Sequence, residues 1–150
     1  MVGENFDLGS PPVGYQMGDV ALSIENLTVL GAAGNSVDKL SLSVRAGEIV
    51  CIYGLMGAGR TELLETVAGR LKASTGRVML RGEDVGSLTI AQRIAKGLVL
   101  VPEDRQRDSL VQTMSVGNNL SLASIAAFTR GIFTSRKSEQ DVITKAIRQV

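Results

Sequence analysis

At 150 residues the chain has the length of one ordinary domain, and its 44% apolar and 21% charged residues suffice to bury a sizeable core. It holds no histidine, one cysteine (Cys51) and a net charge of +1 from 16 basic and 15 acidic residues. Within these residues that excludes a Ser-His-Asp triad, a Cys-His pair, a histidine zinc site, an internal disulfide and a four-cysteine metal site, and the even charge with 3% aromatics leaves no footprint for DNA or RNA.

Residues Met1–Asp7 are acidic and lack the apolar stretch of a signal peptide. The apolar runs are roughly a third of the ~18 residues that a spanning helix needs, so a soluble, cytosolic chain is expected. Residues 1–18, with Pro11, Pro12 and four glycines, read as an extended linker. Val20, Leu22 and Ile24 alternate with Ala21, Ser23 and Glu25 as in a half-buried strand, extended by Leu27–Leu30. Leu40, Leu42 and Val44 repeat the pattern up to a turn at Ala46-Gly47. Ile49–Tyr53 is a continuous β-rich apolar run, as expected of a parallel strand covered on both faces. A glycine-rich loop follows, then a helix with Leu63, Leu64, Val67, Ala68 and Leu71 at helical spacing and Gly69 near its cap.

A short strand is predicted at Val78 and Leu80, a turn at Arg81–Asp84 and a helix at Ile90–Lys96. Leu98–Val101 reads as a second buried strand, ended by Pro102. Residues 114–128 are predicted helical. In the last helix Ser138-Glu139-Gln140-Asp141 forms a capping-box pattern, and Val142, Ile143, Ala146, Ile147 and Val150 make an apolar stripe.

The chemistry gathers at Gly54-Leu55-Met56-Gly57-Ala58-Gly59-Arg60-Thr61-Glu62. A strand, a Gly-x-x-x-x-Gly loop, a cation and a threonine opening a helix make the phosphate-binding loop pattern. Glycines let successive backbone N–H groups turn inward around phosphate oxygens, and the helix N-terminus adds partial positive charge. The cation reaches the outer phosphates and the Thr61 hydroxyl can ligate Mg²⁺. A dinucleotide fingerprint fits less well, because its third glycine falls at Glu62. Arg60 stands where the pattern has lysine, a broad planar fork replacing a slim point charge, so altered nucleotide binding with impaired hydrolysis is expected. A second acidic candidate is Val101-Pro102-Glu103-Asp104, an apolar strand ending in acids as in Mg²⁺-binding NTPases. Pro102 disrupts that template, and the charge run Glu103–Asp108 also reads as a self-paired exposed turn.

The loop from Gly54 to Leu63 resembles the phosphate loop in the second nucleotide-binding half of sugar-importer ABC ATPases, the ribose, galactose and xylose class. Val20–Leu27 with Val37–Leu42 and Arg45–Glu48 is similar to the antiparallel strands that open such domains, and Ser74–Val78 with Gly82 to the segment after their first helix. Val101–Leu110 and Met114–Leu122 look like the most diagnostic stretch of that half, and Met1-Val2-Gly3 resembles the end of the preceding half. The implied fold is an α/β P-loop NTPase core of parallel strands with N-terminal antiparallel strands, cut within its helical subdomain. Residues 19–150 would be a partial nucleotide-binding domain, with a core to about 112 and the helical subdomain from about 113.

The resemblance implies ATP and Mg²⁺ as cofactors. Residues 54–62 would cradle the triphosphate, with Leu30 and Val37 as further nucleotide-binding candidates and Thr61 and Glu103 as metal candidates. Glu103 falls where working sites place a glutamine that senses Mg²⁺ and the γ-phosphate. No aromatic stands near Leu30 and Gly31, where one usually stacks on adenine. Arg60 and Glu103 are nevertheless usual for this second half. The ABC signature segment, the catalytic glutamate and the switch histidine would lie beyond residue 150, so no catalytic residue is expected in this chain, and the fragment is expected to be inactive alone. Implied partners are transmembrane permease subunits, contacted through residues 103–122, the first nucleotide-binding half and, indirectly, a sugar-binding protein. The implied location is peripheral, on the cytoplasmic face of the inner membrane, and the last helix's stripe is expected to self-associate or fray. Two rival readings are a scaffold module that binds no nucleotide and an independent P-loop kinase or GTPase with Asp104 as its metal ligand.

Overall fold

The computed structural model describes residues 16–31, 34–122, 124–130 and 133–148; most of the predicted linker lies outside them. The chain divides into two compact units, one through Leu100 and one from Val101 onward.

In the first unit, β1 (Val20–Gly31) and β2 (Gly34–Arg45) form one long antiparallel hairpin. Both strands outrun their predicted lengths because pairing continues to Leu30↔Asn35 and Gly31↔Gly34. After the phosphate loop, helix α1 (Arg60–Ala68) leads to β3 (Thr75–Leu80) and β4 (Glu83–Asp84), which complete an antiparallel sheet in the order β2-β1-β3-β4. The turn predicted over Arg81–Asp84 is tighter than expected, since pairing resumes at Glu83.

A bulge makes the core possible. Ile24 and Leu27 are an odd number of residues apart and would face opposite sides of a regular strand. The register slips between them, with Asn26 at φ 46°, and both side chains end up buried. They pack with Val29, Val37 and Val78 of the sheet, with Leu63 and Val67 of α1, and with Val85. Helix α2 (Ile90–Ala95) starts on a capping box, in which Gln92 N–H donates to Thr89 Oγ1 (3.3 Å) and Thr89 N–H to Gln92 Oε1 (2.9 Å).

Two predicted elements are absent. Ile49–Tyr53 and Leu98–Val101 join no ladder, so the described sheets are antiparallel throughout. Ile49 and Tyr53 are 96% and 93% exposed, and Val99 and Val101 are exposed as well, against the expectation of buried strands. An apolar run becomes a buried parallel strand only between neighbouring strands and under helices. Among the described residues no strand lies beside either run.

The second unit carries α3 (Arg105–Asp108), α4 (Val116–Leu122), α5 (Ile125–Phe128), a small hairpin of β5 (Thr129–Arg130) and β6 (Phe133–Thr134), and α6 (Arg136–Ile147). The single helix predicted over 114–128 is thus two. The predicted capping box at Ser138 is also displaced: Ser135 is the N-cap, its Oγ accepting from Ser138 N–H, so Ser138 sits inside the first turn. Val142, Ile143 and Ala146 are half-buried, with Ile143 against Gly117 of α4, while Ile147 stays exposed. The stripe is thus only partly covered within its own unit, with no residue of α6 fully buried; Val150 lies outside the described residues.

Candidate functional site

Gly54–Gly59 crosses from the unpaired run to α1. Gly57 and Gly59 are both left-handed, at φ 79° and 77°, which turns the intervening amides toward one side of the loop. Ala58 N–H donates to Leu55 O (3.1 Å) and Leu63 N–H to Gly59 O (2.9 Å). The N–H groups of Gly57, Gly59, Arg60, Thr61 and Glu62 meet no acceptor among the described residues, and Gly59 caps α1 with no side-chain bond. An uncapped helix start that follows two left-handed glycines leaves amide donors available to an anion.

The loop is anchored at its end. A Cβ at Gly59 would lie 2.0 Å from Ser36 O and 3.2 Å from Val37 Cγ2, so residue 59 is pressed onto β2 and only glycine fits. Val37, a nucleotide-binding candidate, is buried in this contact and supports the loop from beneath. Leu30, the other candidate, is 67% exposed on β1. Arg60 turns back over the loop, its Cδ 3.8 Å from a Cβ built on Gly54. Thr61 is exposed and Glu62 half-buried, while Leu55 and Met56 stand out in solvent at the loop's tip. Thr61 belongs to the first unit and Glu103 to the second, where Glu103 is exposed. Asp104 accepts a hydrogen bond from Arg107 N–H (3.1 Å), which makes it the cap of the single turn α3.

Two polar residues that organise these surfaces escaped the sequence reading. Arg93 is buried on α2, and its guanidinium donates to Val67 O (2.6 Å), Thr66 O (2.9 Å), Gly86 O (3.1 Å) and Leu88 O (3.3 Å). It caps the C-terminal end of the helix whose other end bears the phosphate loop. Burial lowers its pKa, and Asp84 opposes that shift. In the second unit Asn119 clasps the preceding loop: Oδ1 accepts from Val111 N–H (2.9 Å), and Nδ2 donates to Val111 O (3.1 Å), Ser115 O (3.1 Å) and Met114 O (3.3 Å). The sequence offered no signal for Arg93, since the apolar residues of α2 are exposed and Arg93 is its one buried residue; for Asn119 the signal was an asparagine four residues after a serine that opens a helix.

A sequence model of the ABC transporter family matches residues 37–150. The chain belongs to the ABC transporter family. It is 38% identical to the xylose import ATP-binding protein XylG of Ralstonia nicotianae, over 100% of this chain and 30% of that protein. It is also 38% identical to a putative ribose/galactose/methyl galactoside import ATP-binding protein of Rhizobium etli, over 100% of this chain and 28% of that one. The chain thus spans less than a third of these curated ABC relatives, whose names fall in the sugar-importer class that the sequence resembles. Solved structures agree. A nucleotide-free ATP-binding cassette from an ABC transporter superposes with a TM-score of 0.62 at 22% identity, over 86% of this chain and 52% of that one. An ADP-bound cassette gives 0.62 at 23%, over 81% and 50%. At such identities the likeness establishes the fold, that of an ABC ATPase cassette.

Proposed function

We propose that the chain binds Mg-ATP as part of the second nucleotide-binding half of a carbohydrate-import ATPase and couples that binding to a membrane permease. The phosphate loop carries this reading: with Gly57 and Gly59 in left-handed conformation over an uncapped α1, five amide donors meet no acceptor among the described residues. That arrangement fits a triphosphate, with residues 54–62 as cradle and Thr61 as Mg²⁺ ligand. Bound Mg-ATP would supply the free energy of phosphate transfer to water. Leu30 offers the base only aliphatic contact, and Arg60 holds the outer phosphates as a fork. The 150 residues contain no histidine to serve as the switch, so the chain alone is expected to bind nucleotide without turnover.

Transport partners follow from the relatives' names, which specify import. Among the described residues no helix is long and apolar enough to cross a membrane. The surface offered to a permease is the stretch 103–122, where Leu110, Val111, Met114, Val116 and Leu120 line a cavity of about 580 Å³. Peripheral attachment at the cytoplasmic face of the membrane belongs to the same proposal. Family membership and the engagement of Asp104 as a cap argue against an independent kinase or GTPase.

Isothermal titration with Mg-ATP tests the core of this reading. Heat of binding with a thermal upshift, both lost on Thr61→Ala in the presence of Mg²⁺, is the expected result. Silence at millimolar nucleotide overturns it in favour of a scaffold that binds none.

A further inference from the structure

We propose that the first unit carries a second, anion-selective site, remote from the phosphate loop and taking a small multivalent oxyanion such as a polycarboxylate or phosphate. The site is a cavity of about 640 Å³ at the C-terminal end of α1, in the size range of metabolite pockets. Arg70, Lys72, Arg77 and Arg93 all line it, and among the described residues no carboxylate does. In a chain with 15 acidic residues against 16 basic ones, that separation of charge is local and specific.

The surroundings of Lys72, Arg77 and Arg93 support the assignment. Arg70 has an ion pair with Glu65 at 3.7 Å. Glu25 is the register partner of Arg77 across the ladder, yet Arg77 and Lys72 have neither an ion pair nor a hydrogen bond among the described residues. Arg93 is buried among carbonyl oxygens; the nearby Asp84 has one oxygen accepting from Gly86 N–H (2.7 Å). The result is a buried positive charge with two unpartnered cations at the rim of the same hollow. Burying a cation without a full counter-charge is costly, and an anion in the cavity relieves that cost. Guanidinium forks match carboxylate and phosphate oxygens bidentately. Ser87 adds a hydroxyl with no hydrogen-bond partner among the described residues, and Leu71 and Leu88 provide an apolar wall for the ligand's carbon skeleton.

The probes are citrate and inorganic phosphate, added to the chain at matched ionic strength while its thermal unfolding is followed. At about ten times Kd, citrate is expected to raise Tm by about 3–6 °C. Arg77→Gln with Lys72→Gln removes two exposed side chains that hold nothing else in place, so the variant folds and the rise should vanish. Arg60→Ala should leave the rise intact, which separates this site from the phosphate loop. A tetraglutamate peptide distinguishes the source of the oxyanion: a larger rise than citrate gives assigns the site to acidic side chains of a polypeptide, a smaller one to a free anion. The proposal is overturned by no rise with any probe at about 20 mM, by an equal rise in the double variant, or by loss of the rise in Arg60→Ala.

Discussion

Replacing Arg93 with methionine isolates what a single buried guanidinium contributes to this fold. Of its four carbonyl partners, Thr66 O keeps a second donor, Gly69 N–H at 3.0 Å. Val67 O, Gly86 O and Leu88 O have no other donor among the described residues. The adjoining cavity admits water, so each orphaned carbonyl costs about 1 kcal/mol, the low end for a lost buried partner, or about 3 kcal/mol together. Methionine fills most of the stem's volume, which keeps the packing loss small. Removing the buried cation returns part of its desolvation cost, leaving a net loss of about 2–3 kcal/mol. Urea unfolding followed by circular dichroism should show a lower midpoint with an unchanged slope. Arg93→Lys should recover less than half, because an ammonium on a flexible stem cannot reach three chain segments at once. Gly69→Ala attacks the same contact from the other side: its φ is 86°, and its Cβ would lie 2.9 Å from Arg93 Nε. The two substitutions together should therefore cost less than their sum. A loss below about 0.5 kcal/mol for Arg93→Met, or strict additivity with Gly69→Ala, would refute the clasp as the element joining α1 to α2.

Gly59→Ala should be worse than its single methyl suggests, since the new Cβ would meet Ser36 O at 2.0 Å and sit on a left-handed residue. A loss of about 2 kcal/mol or more in unfolding, with loss of Mg-ATP heat, is expected; a stable variant that still binds would show that β2 does not anchor the loop. Asn119→Ala should raise amide exchange across 111–115 by about tenfold or more, the equivalent of the roughly 1.5 kcal/mol that the clasp's bonds supply. Exchange at 54–62 should be unchanged, and unaltered protection at 111–115 would count against the clasp.

The antiparallel half of the fold was legible because its signals are local. Alternation in Val20–Ile24 and Leu40–Val44 fixes which face of each strand is buried, and Gly69 and Thr61 mark the two ends of α1 without reference to anything distant. The bulge at Asn26 was not legible: its cause is the sheet's need to bury both Ile24 and Leu27, which no single residue announces. Ile49–Tyr53 and Leu98–Val101 failed for a related reason. Composition says that such runs prefer to be covered, and says nothing about whether neighbours are placed to cover them. Ser138 carries the box pattern, yet Ser135 is the cap: a serine hydroxyl can cap without a box partner, so the pattern alone did not mark the first turn. In the site, residue types in order disclosed the phosphate loop. Arg93 stayed hidden because its partners are backbone carbonyls, which carry no sequence signal.

The phosphate loop is held unequally at its two ends, and this bears on what the loop can do. Its C-terminal end is fixed: Gly59 is pressed on Ser36, Leu63 and Val67 are in the core, and Arg93 closes the far end of α1. Its N-terminal end runs into Ile49–Tyr53, which joins no ladder and leaves Ile49 and Tyr53 almost fully exposed. A backbone nest binds phosphate in proportion to how little ordering remains at the moment of binding, and each residue still to be fixed costs about 1–2 kcal/mol. The donors from Gly59 onward are pre-set by packing against β2, whereas those of Gly54–Ala58 depend on the path of the segment before them. Under the proposed function, triphosphate affinity therefore depends on what orders residues 49–53 as well as on Arg60 in the lysine position.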